Sequence, residues 1–158
     1  MKLEKRVIKH LHSMGFETKK FGEYIYVFEY EEMRILYTPD DEDENYLFIS
    51  LPIICQVTKE NRTKVLKAIE DCARVVKYSK MHLLDGDVGV LACYEHYLTD
   101  TKKLPELLEH ILQVLIATAR HFVKIVDNKE GNSDEEVESA LEKILREIEE
   151  ENQEYEYN

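Results

Sequence analysis

The chain contains no tryptophan, five glycines and three cysteines among 158 residues. The glycines are scattered, so there is no glycine-rich loop of the kind that cradles a phosphate. The cysteines, Cys55, Cys72 and Cys93, are odd in number, sit in apolar stretches and show no C-x-x-C spacing. They read as reduced, buried thiols, which leads us to expect a cytoplasmic protein without disulfides. Long hydrophobic runs are missing too. The longest, Ile111 to Ala119, is interrupted by Gln113 and Thr118 and falls far short of the about 20 residues that a membrane span needs. Near the N-terminus, apolar residues are interspersed among charges at helical intervals, unlike the continuous apolar block of a signal peptide.

What the chain does have is charge. Hydrophobic residues make up 44% and charged residues 34%, the balance of a folded domain with a heavily charged surface rather than of a disordered chain. The net charge is −12, and its distribution is uneven. Residues 127–158 hold thirteen acidic and three basic side chains, which leaves residues 1–126 near neutral. A near-neutral body with an acidic tail lacks the Lys/Arg surplus that nucleic acid or an anionic membrane would require. Neither is expected as a partner.

Periodicity orders the elements. Leu3, Val7, Leu11 and Met14 recur at helical spacing and Gly15 follows as a stop, predicting a helix over about 2–14. Short β-type segments follow at 16–21, 24–30 and 33–37, joined by tight connections that favour an antiparallel meander. The run Asp40-Asp41-Glu42-Asp43-Glu44 is a loop that must stay in water. It lacks the alternating spacing and glycine of a calcium loop. A fourth strand covers 46–54, and Thr58, Glu60 and Asn61 open a second helix with Val65, Leu66, Ile69, Cys72, Ala73 and Val76 along one stripe. Strands over 78–84 and 88–97 flank a hairpin turn at Asp85-Gly86.

A third helix, to about Val126, accepts Pro105 in its first turn. It is apolar nearly all round, so we expect something beyond its own sheet to cover it. Ser133 to Glu136 forms a capping box ahead of Val137, Leu141, Ile144 and Ile148, one narrow seam. The expected fold class is therefore α+β: an antiparallel sheet with helices packed on one face, in the order α-β-β-β-β-α-β-β-α plus a C-terminal helix. The expected division is a domain over 1–126, a linker over 127–133, an amphipathic helix over 134–150 and a disordered acidic tail over 151–158. The fourth helix is expected to fold back on the third or on a second subunit.

Candidate chemistry is sparse. The six histidines, His10, His12, His82, His96, His110 and His121, form no H-E-x-x-H and no i, i+4 pair, so no metal site is expected. Cys93 and His96, three apart on a strand, point to opposite faces and make a poor dyad. Asp85 and Asp87 serve the turn around Gly86. No cofactor is implied.

Tyrosine is abundant, with ten copies. Along the second strand Tyr24, Tyr26, Phe28 and Tyr30 alternate with Ile25 and Val27, and on the fourth Tyr46 and Phe48 alternate with Leu47, Ile49 and Leu51. If the aliphatic side seats the helices, these six rings form an aromatic face suited to partner recognition.

The segments LPIICQVTKENRTKVLKAIEDCARVV, MHLLDGDVGVLACYEHYLTD, LPELLEHILQVLIATARHFVKIV and NSDEEVESAL carry a resemblance. A Leu-Pro strand end leads into the second helix, an Asp-Gly hairpin follows, and a long helix closes the domain. The order resembles the fold of type III secretion chaperones, and its details resemble the YbjN family built on that fold. The resemblance spans residues 1 to about 145. It implies a small, acidic, dimeric chaperone-like or regulatory protein. The expected function is thus a non-catalytic protein- or peptide-binding module, homodimeric and not an enzyme. The alternative is a small-molecule binder or enzyme with a dispersed site.

Overall fold

The computed structural model describes residues 2–126 and the single positions Glu142 and Arg146. Otherwise the expected linker, fourth helix and tail lie outside the described residues. The elements are α1 (Leu3–Ser13), β1 (Lys19–Phe21), β2 (Ile25–Tyr30), β3 (Met33–Tyr37), β4 (Tyr46–Ile54), α2 (Arg62–Val75), β5 (Lys80–Leu83), β6 (Gly89–Tyr97) and α3 (Leu104–Val126). This is the expected α+β order. The six strands form one antiparallel sheet, β1-β2-β3-β4-β6-β5.

All three helices bury their apolar stripes against the same sheet face. Leu3, Val7 and Leu11 of α1, Val65, Ala68 and Cys72 of α2, and the α3 series from Leu104 to Phe122 share one core with Ile35, Leu47, Ile49, Leu51, Ile53, Val90 and Ala92. Burying each such aliphatic or phenyl side chain contributes roughly 1.5–3 kcal/mol.

One side of the third helix is fully enclosed. Leu108, Ile111, Leu112, Leu115, Ile116, Ala119 and Phe122 are 0–3% exposed within this single chain. α3 lies over β4 and β6 and packs along α2, while its first turn borders α1 beside Arg6, Lys9 and His10. The cover expected beyond its own sheet comes in part from α2, packed along it, and from α1 at its first turn, while Leu107, Val114, Val123, Ile125 and Val126 are only partly buried.

Local chemistry sets the boundaries. Thr58 and Asn61 bond reciprocally ahead of α2, Thr58 N–H to Asn61 Oδ1 at 2.6 Å and Asn61 N–H to Thr58 Oγ1 at 3.2 Å. Asp100 accepts from Lys102 N–H at 3.1 Å in the 3-10 turn that leads into α3. β1 is shorter than expected because Phe16 leaves the strand to pack on Phe28 and Tyr30, with ring centroids 5.3 and 5.7 Å apart. The β5–β6 reversal also shifts by one residue. It uses positive φ at Gly86 (77°) and Asp87 (55°), not Asp85-Gly86, inside a loop closed by Leu84 N–H to Gly89 C=O at 2.8 Å.

Among the described residues, no helix is long and apolar enough to cross a membrane.

Candidate functional site

Strand register decides which side chains share a face, since directly paired residues point the same way. Tyr26 pairs with Tyr37, Tyr37 with Ile49, and Ile49 with Tyr94. This row belongs to the helix-covered face. The adjacent row runs Lys19, Val27, Leu36, Ser50, Cys93, Lys80 across all six strands and lies on the helix-free face.

The six aromatic candidates are therefore not brought together. Tyr26, Phe28 and Tyr30 face the helices, with Phe28 only 2% exposed in the main core and the two tyrosines half-buried against it. Tyr46 and Phe48 lie on the helix-free face, and Tyr24, in the turn before β2, packs on that side too. The expected single aromatic face is corrected on this point. β2 presents apolar residues on both sides, so alternation alone did not orient it. The two-residue turn Glu31-Glu32 pairs Tyr30 with Met33 and Phe28 with Ile35, which places the rings beside the aliphatic core residues of β3. The Glu29–Arg34 pair on the other side was the available signal, since a charge pair marks the face turned from the helices.

The helix-free face has a closed centre and an open end. Ile25, Leu36, Leu84 and Leu91 are 0–8% exposed, with Phe21, Tyr24, Val27, Phe48 and Val88 packed around them. Among the described residues no helix lies over this cluster, which draws on the start of β2, on β3 and on the β5–β6 hairpin. Ser50, on the intervening strand β4, is 2% exposed on the same face.

At the open end Tyr46 stacks on Phe48, centroids 6.1 Å apart. Tyr46 donates its hydroxyl to Glu95 Oε2 at 2.8 Å, and Glu95 also pairs with Lys80. Lys80, then Tyr46, hold the Glu95 carboxyl below its ordinary range, although partial burial opposes them. Glu95 in turn raises the Lys80 ammonium. Burial, followed by the bond to Glu95, pushes the Tyr46 phenol above its ordinary value. Tyr97, opposite Tyr46, is 62% exposed and accepts from Asn45 Nδ2 at 3.1 Å. Beneath them burial raises the Cys93 thiol to about 11.

A second cluster escaped the sequence reading. Tyr78 stacks on Tyr94 at 6.2 Å and meets His110 edge-on at 4.9 Å, with His110 and His96 5.9 and 6.5 Å from Tyr94. No linear spacing joins these residues, because β6 and α3 are brought together only by packing. Cys93 lies on the helix-free side, whereas His96 pairs with Leu47 on the other, so they form no dyad. Among the described residues, no three His, Cys, Asp or Glu side chains are placed to hold a metal ion. In the acidic loop, Asp40 Oδ1 accepts from the Glu42 and Asp43 amides at 2.8 and 3.1 Å, and Asp43 Oδ1 accepts from Asn45 N–H at 3.0 Å. Those two carboxylates shape the loop's own backbone.

Among the described residues, a six-stranded antiparallel sheet with three helices on one face defines the class. Within that class the chain has a YbjN-like fold. YbjN of E. coli, described as "a putative transcription regulator", matches with a TM-score of 0.58 at 7% identity, over 80% of this chain and 93% of that one. An uncharacterized protein from Methanothermobacter thermautotrophicus matches with a TM-score of 0.54 at 11% identity, over 77% of this chain and 96% of that one. At such identities the likeness establishes the fold. No family model matches the sequence, and no curated protein matches it.

Proposed function

We propose that this chain is a non-catalytic protein- or peptide-binding module, chaperone-like or regulatory, that acts in the cytoplasm as a homodimer through the open end of its helix-free sheet face. The observation that carries this reading is the stacked Tyr46–Phe48 pair beside the 62% exposed Tyr97, on a face that no described helix covers. Rings of this kind offer large contact area with a polar tip at low entropic cost. The same face presents both signs of charge, Lys19, Arg34 and Lys80 with Glu29 and Glu95. A two-fold pairing sets such a patch against itself, each cation meeting an anion of the other copy. The fold shared with YbjN supports a regulatory role rather than a reaction, and three reduced thiols suit the cytoplasm.

Light scattering after size exclusion tests the reading. The full chain should run at twice 18.7 kDa. The Phe48→Asp, Tyr97→Ala variant should run at the single-chain mass while keeping the wild-type circular dichroism. A wild-type chain of single mass at micromolar concentration would refute the homodimer.

A further inference from the structure

Tyr37, the last residue of β3, is 1% exposed, and among the described residues its hydroxyl has no hydrogen-bond partner. Polar groups at that depth are as a rule bonded. Tyr26, stacked on it with centroids 6.1 Å apart, gives its own hydroxyl to Glu4 instead. The Tyr37 oxygen is not sealed off, and the residue lines a pocket of about 30 Å³ between the β3–β4 loop and the start of α1. Five carboxylates line the same pocket, from Glu4 and from Asp40, Asp41, Asp43 and Glu44 of the loop. Asp40 and Asp43 each commit one oxygen to loop amides and keep the other. Asp41 and Glu44 have neither hydrogen bond nor ion pair among the described residues. Lys2, the single cation in the lining, is exposed and pairs with none of the five.

We propose that this pocket binds a primary alkylammonium group, the head of a lysine side chain or of a free diamine. Five carboxylates against one lysine fix the sign of the ligand. The volume suits a compact head, since roughly 10–15 Å³ already admits a group the size of a water molecule. Directional bonding separates an ammonium from a metal ion. Among the described residues no three carboxylates are placed to hold a metal, whereas the three N–H donors of an ammonium can reach separate acceptors, the Tyr37 oxygen and two carboxylates among them. Burial, followed by the Glu4 charge, raises the Tyr37 phenol above its ordinary value, so it stays neutral and its oxygen lone pairs remain available to an N–H donor. Leu3, Pro39 and the Tyr46 ring, also in the lining, offer apolar surface to a methylene stem. The site does not rest on the homodimer, and it shares only Tyr46 with the open end of the helix-free face.

Amide NMR of the full chain tests this, with cadaverine and N-acetyl-lysine methylamide as ligands and tetramethylammonium and calcium as controls. The primary amines should give saturating shifts at Leu3, Tyr37 and Asp40 to Tyr46. Tetramethylammonium, which has the charge but no N–H, and calcium should give none at equal concentration. Saturation by N-acetyl-lysine methylamide identifies a protein side chain as the ligand, and saturation by cadaverine alone identifies a free amine. Tyr37→Phe keeps the ring and removes only the oxygen, so it should weaken binding about tenfold, the loss of one hydrogen bond to a charged group. Asp41→Asn, Glu44→Gln, at two exposed positions, should weaken it about fivefold at an unchanged melting temperature. No saturable shift, an equal response to either control, or wild-type affinity in both variants would overturn the proposal.

Discussion

Tyr26 of β2 donates its phenolic hydrogen to Glu4 Oε1 of α1 at 2.6 Å, tying the N-terminal helix to the sheet. That bond, with partial burial and the Glu4 charge adding to it, raises the Tyr26 phenol to about 12. A phenol whose folded pKa lies above its unfolded value of about 10 stabilises the fold fully below pH 10 and loses that contribution as pH rises through 12. Tyr26→Phe should therefore cost about 1 kcal/mol at neutral pH. The gap between variant and wild type should close between pH 10 and 12. Urea melts across that range check it, and a constant gap would show that the hydroxyl contributes nothing specific.

Two non-glycine residues in succession, Glu31 (φ 48°) and Glu32 (φ 66°), form the β2–β3 turn in the left-handed region. That backbone costs side-chain-bearing residues roughly 1–2 kcal/mol each. Glu31 has a compensating bond to Arg120. Glu32→Gly should stabilise the protein by about 0.5–1 kcal/mol, after the extra freedom of an unfolded glycine is subtracted. A melting temperature unchanged or lowered would contradict the strain.

Gly89 and Gly15 make a contrast. A Cβ on Gly89 (φ 156°) would stand 2.2 Å from the Ile53 carbonyl oxygen across the β4–β6 pair, whereas one on Gly15 (φ 93°) would meet nothing within 4 Å. Gly89→Ala should destabilise by about 3 kcal/mol or more. Gly15→Ala should cost only about 1–2 kcal/mol for its positive φ. Denaturant midpoints of the two variants, measured side by side, decide the order.

The thiols should differ in reactivity, which follows exposure and thiolate fraction. Cys72 and Cys93 are at most 1% exposed and Cys55 is intermediate. Burial raises all three thiols. Ellman's reagent at pH 8 should modify Cys55 slowly and spare the other two until denaturant is added. Rapid native modification of Cys93 would mean that the helix-free face opens.

By itself the sequence determined the kinds and order of the elements described within residues 2–126, because helix and strand periods, the Thr58–Asn61 box and the Gly15 stop act over a few residues. It also determined the orientation of β4, where Leu47, Ile49 and Leu51 stand against Tyr46 and Phe48 with clear contrast. The tertiary structure alone decided the rest. In β2 both sides are apolar, and the rings turned inward because register through β3 to Ile49 fixed their side. α3 finds part of its cover only where α1 and α2 close on it, and the Tyr78, Tyr94, His96 and His110 cluster arises only where α3 meets β6. Local bonding is written in neighbouring residues, whereas a face or a cover depends on which distant segments meet, and that is settled by packing the whole chain at once.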